Sequence, residues 1–191
     1  DPVVTITGGL TINNNTTLEA SSSADLTIGG NFTNSGVFTH NNGTVVFNTT
    51  TTCNITGATT FYNFTSTTGG KILQFGNGST FVFTNTMTVA GESGNPISIQ
   101  SDSAGNQWLV TFSTSQSSIS WVNLKDSGCS SSQSVNSTQQ TIFGQGNNGT
   151  CWNLILRGGG TSNNAVDGGS GGSGSSSGGG GAGGGGGADG G

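Results

Sequence analysis

Short apolar segments, several of which alternate between apolar and polar residues, recur along most of the chain. They lie at residues 10–12, 26–28, 45–47, 61–64, 72–75, 81–83, 87–89, 97–99, 109–112 and 119–124. Alternation with a period of two is typical of half-buried β-strands, and the Gly- and Asn-rich runs between the segments favour turns. No segment of a dozen residues has apolar residues at helical spacing, so the sequence predicts an all-β fold with essentially no helix.

The intervals between the predicted strands distinguish a solenoid from a sandwich. A sandwich joins neighbouring strands through hairpins, whereas a solenoid repeats a similar strand once per coil at a nearly fixed interval. Intervals of 16, 19, 17, 19 and 16 residues separate Ile12, Ile28, Phe47, Phe64, Phe83 and Ile99. The sequence therefore predicts a β-solenoid in which each of these residues marks one coil and the stacked coils share an apolar column.

The glycine content divides the chain into two parts. Residues 158–191 hold 19 of the 37 glycines in this 191-residue chain, so we expect a solenoid domain at residues 1–157 and a Gly/Ser-rich tail without regular structure at residues 158–191. Glycine loses more backbone freedom on ordering than any other residue, and contacts within one chain scarcely offset that loss. An ordered tail would therefore be buried between subunits.

Charged residues make up only 6% of the chain, and the net charge is −5. Lys71, Lys125 and Arg157 are the only basic residues, so no basic patch neutralises phosphates and nucleic acid is not an expected partner. No run approaches 18 apolar residues, which argues against membrane insertion. The chain begins at Asp1 without Met or a signal peptide, as a processed chain would.

The sequence predicts no catalytic, metal or cofactor site. Carbohydrate-cleaving enzymes need carboxylates that converge on one face. The acids here are dispersed and are interpreted as solvated turn residues; they are Glu19, Asp25, Glu92, Asp102 and Asp126. His40 has no acid or serine partner at motif spacing, and no zinc or calcium motif occurs.

The three cysteines of the chain allow one disulfide. Cys129 and Cys151 flank a Ser/Gln/Asn-rich excursion at residues 130–150, and closing such a loop would stabilise the fold by about 3 kcal/mol. We therefore predict a Cys129–Cys151 disulfide, the alternative being three reduced, buried thiols. Cys53 is predicted to be a small core residue rather than a reactive thiol.

Sequons of the form N-x-[ST] make N-linked glycans candidate modifications. The candidate residues are Asn14, Asn15, Asn31, Asn42, Asn48, Asn54, Asn63, Asn77, Asn136 and Asn148. Each has a structural alternative, because asparagine is also common in turns and in ladders along stacked strands. If several carry glycans, covalent sugar would give the solubility that the scarce charges do not.

Exposed aromatic side chains on a β-surface would indicate carbohydrate binding. Trp121 and Trp152 lie inside apolar strand segments, so we predict that they pack in the core or at the ends of coils. Trp108 is the third tryptophan that could stack on a sugar. An exposed row of aromatic residues would favour the carbohydrate-binding alternative.

Residues 43–70 read GTVVFNTTTTCNITGATTFYNFTSTTGG. This stretch resembles the repeats of right-handed parallel β-helix surface and filament proteins of bacteria, in which a G-T-V-x-F strand leads into an I-x-G-x-x-T-F-Y-N-L-like strand. Residues 43–47 match the first strand, and Ile55, Gly57 and residues 60–63 match the second, with Phe64 in place of Leu. Residues 119–128, ISWVNLKDSG, are similar to late coils of the same proteins. The resemblance implies a right-handed, secreted solenoid, often followed by a glycine-dense tail.

The ends of a solenoid expose strand edges that pair with other chains unless a cap covers them. The sequence contains no amphipathic helix for a cap, and uncapped ends favour head-to-tail contacts that generate an open filament. We therefore expect a subunit of a self-assembling, glycosylated extracellular filament whose partners are copies of itself, without enzymatic activity. The first strand, residues 3–7, would pair in its own protomer or be donated to the next.

Two other functions stay open. One is a monomeric adhesin or carbohydrate-binding β-helix that binds surface glycans and is tethered by a flexible tail. The other is a polysaccharide-degrading β-helix.

Overall fold

The computed structural model describes residues 1–49, 51–129, 133–137, 142–143, 148–155 and 161–163. These residues form a parallel β-solenoid, and they include no helix. The all-β solenoid predicted from the alternating segments is therefore confirmed, and its right-handedness stays a prediction.

The strands of the solenoid are short, and most contain three to five residues. The first ten are β1 Val4–Ile6, β2 Leu10–Ile12, β3 Thr17–Glu19, β4 Leu26–Ile28, β5 Phe32–Asn34, β6 Val37–Thr39, β7 Thr44–Phe47, β8 Thr52–Thr56, β9 Thr59–Ser66 and β10 Ile72–Phe75. The others described are β11 Thr80–Ala90, β12 Ile97–Ser101, β13 Trp108–Phe112, β14 Gln116–Ser120, β15 Val122–Leu124, β16 Ser127–Cys129, β17 Val135–Ser137, β18 Ile142–Phe143, β19 Trp152–Ile155 and β20 Thr161–Asn163.

Most turns of the solenoid contribute strands to three faces. The first turn is formed by β1, β2 and β3, and β4, β5 and β6 stack on them in parallel. On the first face, Leu26 pairs with Val4 in the turn before it and with Val45 in the turn after it, so these turns take 22 and 19 residues. A longer turn of 30 residues separates Val89 from its partner Ile119.

Two long strands, β9 and β11, bend around the corner between the third and the first face. The first part of β11 pairs with β13 on the third face, and its last part pairs with β14 on the first face. Hydrogen bonding therefore joins the first face and the third face from β9 onward into one eleven-stranded sheet, whereas the second face is a separate sheet of seven described strands.

The coil interval predicted from sequence was wrong. The marker residues lie on different faces: Ile28, Phe47 and Phe64 on the first, Ile12 and Ile99 on the second, and Phe83 on the third. Some of the intervals between them therefore span one full turn on the same face, whereas others include a change of face. All three faces have the same alternation of inward and outward side chains, so the sequence pattern does not distinguish a full turn from a change of face.

Inward-facing side chains form one apolar column through the solenoid. Along β7, Val45 and Phe47 are buried while the intervening residues face outward, as a period of two requires. On the third face Phe61, Phe83 and Phe112 occupy paired positions in three turns, with successive ring centroids 5.8 and 5.6 Å apart. The burial of such side chains is the main favourable term in folding.

The third face is interrupted after its second strand, since β3 and β6 pair only with each other among the described strands. The buried side chain of Asn34 lies near this break. Its Nδ2 donates to Thr59 Oγ1 at 3.0 Å and to the carbonyl oxygen of Ala58 at 3.4 Å, and its Oδ1 accepts from the N–H of Gly36 at 3.2 Å. A polar side chain therefore joins two turns that the backbone ladder leaves unpaired on this face.

The C-terminal end of the described sheet turns back on itself. β19 pairs in parallel with β17 and antiparallel with β20. β20 lies within residues 158–191, for which the glycine content predicts a tail. The predicted boundary at residue 157 and residues 164–191 lie outside the described residues.

Candidate docking end of the solenoid

The N-terminal end of the apolar column is covered by no other described part of the chain. In the first turn Val4 is 44% exposed, whereas its partner in the second turn, Leu26, is 6% exposed. Leu10 is likewise only half-buried, while its partner Phe32 is fully buried. An apolar end left in water favours contact with another surface.

Unpaired backbone groups accompany this apolar surface. Within the described residues, β1, β2 and β3 each pair on one side only. Their outer edges therefore present N–H and C=O groups that can pair with another strand. The first strand itself pairs with β4 of its own chain.

A cleft of about 620 Å³ opens beside these edges, and we call it the N-terminal cleft. Its polar lining includes Asp1, Glu19, Ser21, Ser22, Asn41 and Asn42. A smaller pocket of about 70 Å³, lined in part by Val4, Leu18 and Leu26, shares residues with it. The cleft thus combines hydrogen-bonding side chains with access to the open end of the core.

Hydrogen bonds fix one wall of the N-terminal cleft. The Asp1 carboxylate accepts from Ser21 Oγ at 3.0 Å and from Ser23 Oγ at 3.4 Å, and Ser21 Oγ accepts from the N–H of Ser23 at 3.0 Å. Glu19 lines both the cleft and the smaller pocket, Asp25 lines the smaller pocket, and neither lining includes a lysine or an arginine. The cleft therefore offers carboxylate, hydroxyl and amide oxygens as acceptors, which suit a ligand rich in N–H groups.

Comparisons with protein-family models, with curated proteins and with solved structures found no match to this chain. The chain is a parallel β-solenoid. That assignment depends on the parallel pairing from β1 to β19 and on no relative, so the resemblance to bacterial surface and filament proteins beyond the fold stays a prediction.

Two further features are absent from the described residues. They contain no group of three or more His, Cys, Asp or Glu side chains placed to hold a metal ion. They also contain no helix that is long and apolar enough to cross a membrane.

The structure changes the interpretation of one acid. Glu92 and Asp102 are exposed, and Asp102 Oδ1 accepts from the N–H of Asn77 at 2.8 Å. Asp126, predicted to be a solvated turn residue, is instead buried, and its Oδ2 accepts from the N–H of Gly105 at 3.0 Å. This carboxylate therefore holds a neighbouring turn in place.

The aromatic residues form no exposed row in the described part of the chain. Trp108 and Trp152 are fully buried. Trp121 was predicted to lie inside a strand, but it lies between β14 and β15 with a positive φ of 49° and is half-buried. His40 stacks on Tyr62 at a centroid distance of 5.6 Å, and its Nδ1 accepts a backbone hydrogen bond. The carbohydrate-binding alternative gains no support from this arrangement.

Most of the sequon asparagines are accessible to a glycan. The exposed ones are Asn14, Asn15, Asn31, Asn42, Asn48, Asn77 and Asn136, and the half-buried ones are Asn54 and Asn63. Asn148 differs, because it is 3% exposed and its Oδ1 accepts from the N–H of Ser127 at 3.1 Å. A glycan on Asn148 would require this turn to open, so the folded structure disfavours modification there.

Cys129 and Cys151 are joined by a disulfide, with their Cα atoms 5.9 Å apart. Their separation of 22 residues is close to one turn of the solenoid, which brings them to neighbouring turns. Cys53 is fully buried in β8 and forms no disulfide.

Lys71 is a fully buried basic residue at the corner before β10. Its Nζ donates to the carbonyl oxygen of Phe47 at 2.5 Å, and that oxygen also accepts from Ser66 Oγ at 3.1 Å. Burial lowers the pKa of Lys71 below its ordinary value of 10.5, and the Coulombic interaction with Cys53 opposes this shift. The charged form is therefore less favourable in the folded chain than in the unfolded chain.

This lowered pKa gives an expected pH dependence of stability. Between the folded pKa and 10.5, the unfolded chain binds a proton at Lys71 that the folded chain has lost. The free energy of unfolding should therefore rise with pH through that window. Lys71→Met should abolish this rise, because methionine fills the space without titrating and Phe47 keeps its bond from Ser66.

The measurement is urea denaturation of both chains at several pH values up to 10.5, the upper end of that window. Only the difference between them is interpreted, so that other titrating groups cancel. Lys125→Met, at a half-buried lysine, is the matched control for replacing one lysine by methionine. Parallel curves for the wild type and Lys71→Met would show that this lysine is not desolvated.

Val4, Leu10 and Leu18 were not predicted to be members of a site. They follow the same alternation as apolar residues of every later turn. What distinguishes them is that no turn precedes theirs in the described solenoid, and the available signal was their place in the first repeat.

Proposed function

We propose that this chain is a structural subunit that polymerises head to tail into a filament. The supporting observation is the open first turn, where Val4 is 44% exposed although its partner in the next turn is buried. A second copy that stacks on this turn would bury the apolar end and pair its strand edges, as each later turn does for the turn before it.

The two ends of the second face favour such stacking. This sheet runs from β18 to β2, and each of these terminal strands pairs on one side only among the described residues. A contact between two different ends of the molecule is heterologous, so it repeats without limit unless the rotation closes a ring. A filament is the expected product.

The proposal includes secretion and glycosylation. The Cys129–Cys151 disulfide is typical of proteins that fold in an oxidising compartment. The exposed sequon asparagines offer attachment sites for glycans on a surface with few charges. A structural role requires no catalytic residue and no cofactor other than covalent glycans, and we propose none.

Val4→Lys is expected to abolish or strongly weaken assembly. The lysine would place a charge where the apolar end of the next copy must pack, and a buried, unpaired charge is costly. The concentration needed for assembly should rise at least about tenfold, equivalent to about 1.4 kcal/mol for each contact. Negative-stain microscopy and sedimentation of the purified full chain measure this.

Thr5→Lys is the matched control, because Thr5 is the exposed neighbour of Val4 and follows the outward alternation of the same strand. This variant should form filaments of wild-type length, and both variants should keep the wild-type melting temperature. A wild-type chain that stays monomeric at high concentration would overturn the filament proposal and favour the tethered adhesin. If Val4→Lys chains still form filaments, the contact between successive copies does not lie at the first turn.

A further inference from the structure

We propose that the N-terminal cleft of one copy receives the glycine-rich segment at residues 168–188 of the neighbouring copy. This inference rests on the proposed head-to-tail assembly and names the contact that locks it. The occupant is a segment outside the described residues, and three features of the cleft and of that segment point to it.

The first feature is the chemistry of the cleft. Its walls present the carboxylates of Asp1 and Glu19 beside serine hydroxyls and asparagine amides. Lys71, one of only three basic residues in the chain, is buried and donates to Phe47 within the core. The lining of the cleft includes no lysine or arginine, whereas backbone N–H groups are abundant donors for anionic oxygens.

The second feature is the composition of the segment. Residues 168–188 contain only Gly, Ser and Ala and carry no charge. Without bulky side chains, such a backbone can approach another backbone closely and place its N–H groups against acceptors. It can also pair with the free outer edges of β1 and β3 as an added strand.

The third feature is where the segment begins. It follows β20, which pairs with β19, the last strand of the first face, while the cleft lies beside β1 and β3 at the opposite end. In a head-to-tail polymer the cleft of the next copy lies next to β20. To reach the cleft of its own chain, the segment would have to run back along seven strands of the second face, about 30 Å at the usual strand spacing. Each additional ordered residue costs about 1–2 kcal/mol, which favours the neighbouring cleft.

Cysteine cross-linking of the full chain tests this contact. Chains carrying only Ser22→Cys are mixed with chains carrying only Gly181→Cys, and assembly is followed by mild oxidation with glutathione disulfide. Ser22 lines the cleft and is exposed. The native cysteines should not interfere, because Cys53 is buried and Cys129 is bonded to Cys151.

The expected product is a disulfide that joins position 22 of one chain to position 181 of another. Mass spectrometry of the linked peptides and a dimer band on a non-reducing gel identify it. Ser93→Cys, at another exposed serine in a turn, is the matched control partner for Gly181→Cys. Its yield should be at least tenfold lower than that of Ser22→Cys.

Each other outcome overturns the inference. Equal yields at the two serines would show that the segment has no preference for the cleft. A chain with both Ser22→Cys and Gly181→Cys that cross-links only within itself would place the segment in its own cleft. Micrographs of the same samples separate the two proposals: filaments without the cross-link remove this inference alone, whereas an absence of filaments removes the proposed function.

Discussion

Gly57→Ala is expected to lower the free energy of unfolding by about 2–5 kcal/mol. Gly57 has a positive φ of 84°, in the left-handed region that residues with a Cβ atom avoid. A Cβ atom built at this position would collide with the carbonyl oxygen of Asn34 in the preceding turn. Both the strain and the collision arise in the backbone, so a change of side-chain rotamer cannot relieve them.

A typical domain has a free energy of unfolding of about 5–15 kcal/mol, so the expected loss is a large share of it. Gly8→Ala is the matched control, because a Cβ atom at Gly8 meets no atom within 4 Å and its φ is not in the left-handed region. Gly78→Ala separates the two causes, since Gly78 has a positive φ of 66° but open space around it. Urea denaturation should therefore rank Gly57→Ala well below Gly78→Ala, with Gly8→Ala nearest to the wild type. If Gly57→Ala and Gly78→Ala were equally destabilised, close stacking of turns at Gly57 would be refuted.

The sequence predicted the kind of fold because alternation is a local property. Residues 10–12 and 26–28, both Leu-Thr-Ile, alternate as strands do although they lie on different faces of the solenoid, and the turns between strands have strong Gly and Asn signals. The face to which a strand belongs is not local. Phe64 and Phe83 look alike in sequence, yet the corner inside β11 places Phe83 on the third face.

The buried polar residues show the same limit. Asn34, Lys71, Gln116 and Asp126 are polar residues in or beside turns, and nothing in their neighbourhood distinguishes them from exposed turn residues. Their burial depends on which backbone groups the adjacent turn leaves unpaired. Gln116, for example, accepts from the N–H of Met87 at 2.7 Å, 29 residues earlier in the chain.

The open end was predictable only in outline. An uncapped solenoid followed from the missing helical segments, and the exposed first turn agrees with that expectation within the described residues. The N-terminal cleft was not predictable, because it is formed by residues from separate corners. Ser21 and Ser22 meet Asn41 and Asn42 there through the stacking of the first two turns on each other.

Phe83→Ala is expected to destabilise the chain by about 3–5 kcal/mol. The Phe83 ring is fully buried and stacks between the rings of Phe61 and Phe112, at interplanar angles of 18° and 25°. It also meets the ring of Phe64 edge-on, with the centroids 5.5 Å apart. Removing the ring leaves a cavity in the middle of the column, where both neighbouring turns are held by strand pairing and cannot collapse into the space.

Two further variants divide this loss between its causes. Phe83→Leu keeps an apolar side chain but loses the ring pairs, each worth about 0.5–1.5 kcal/mol, so its loss should be smaller than that of Phe83→Ala. Val82→Ala is the matched control, because Val82 is the half-buried outward neighbour in the same strand, and it should lose less than about 1 kcal/mol. Denaturation midpoints of the three variants give the comparison. A Phe83→Ala chain as stable as Val82→Ala would mean that Phe83 does not face the interior, and the register that pairs β11 with β9 and β13 would have to shift by one residue.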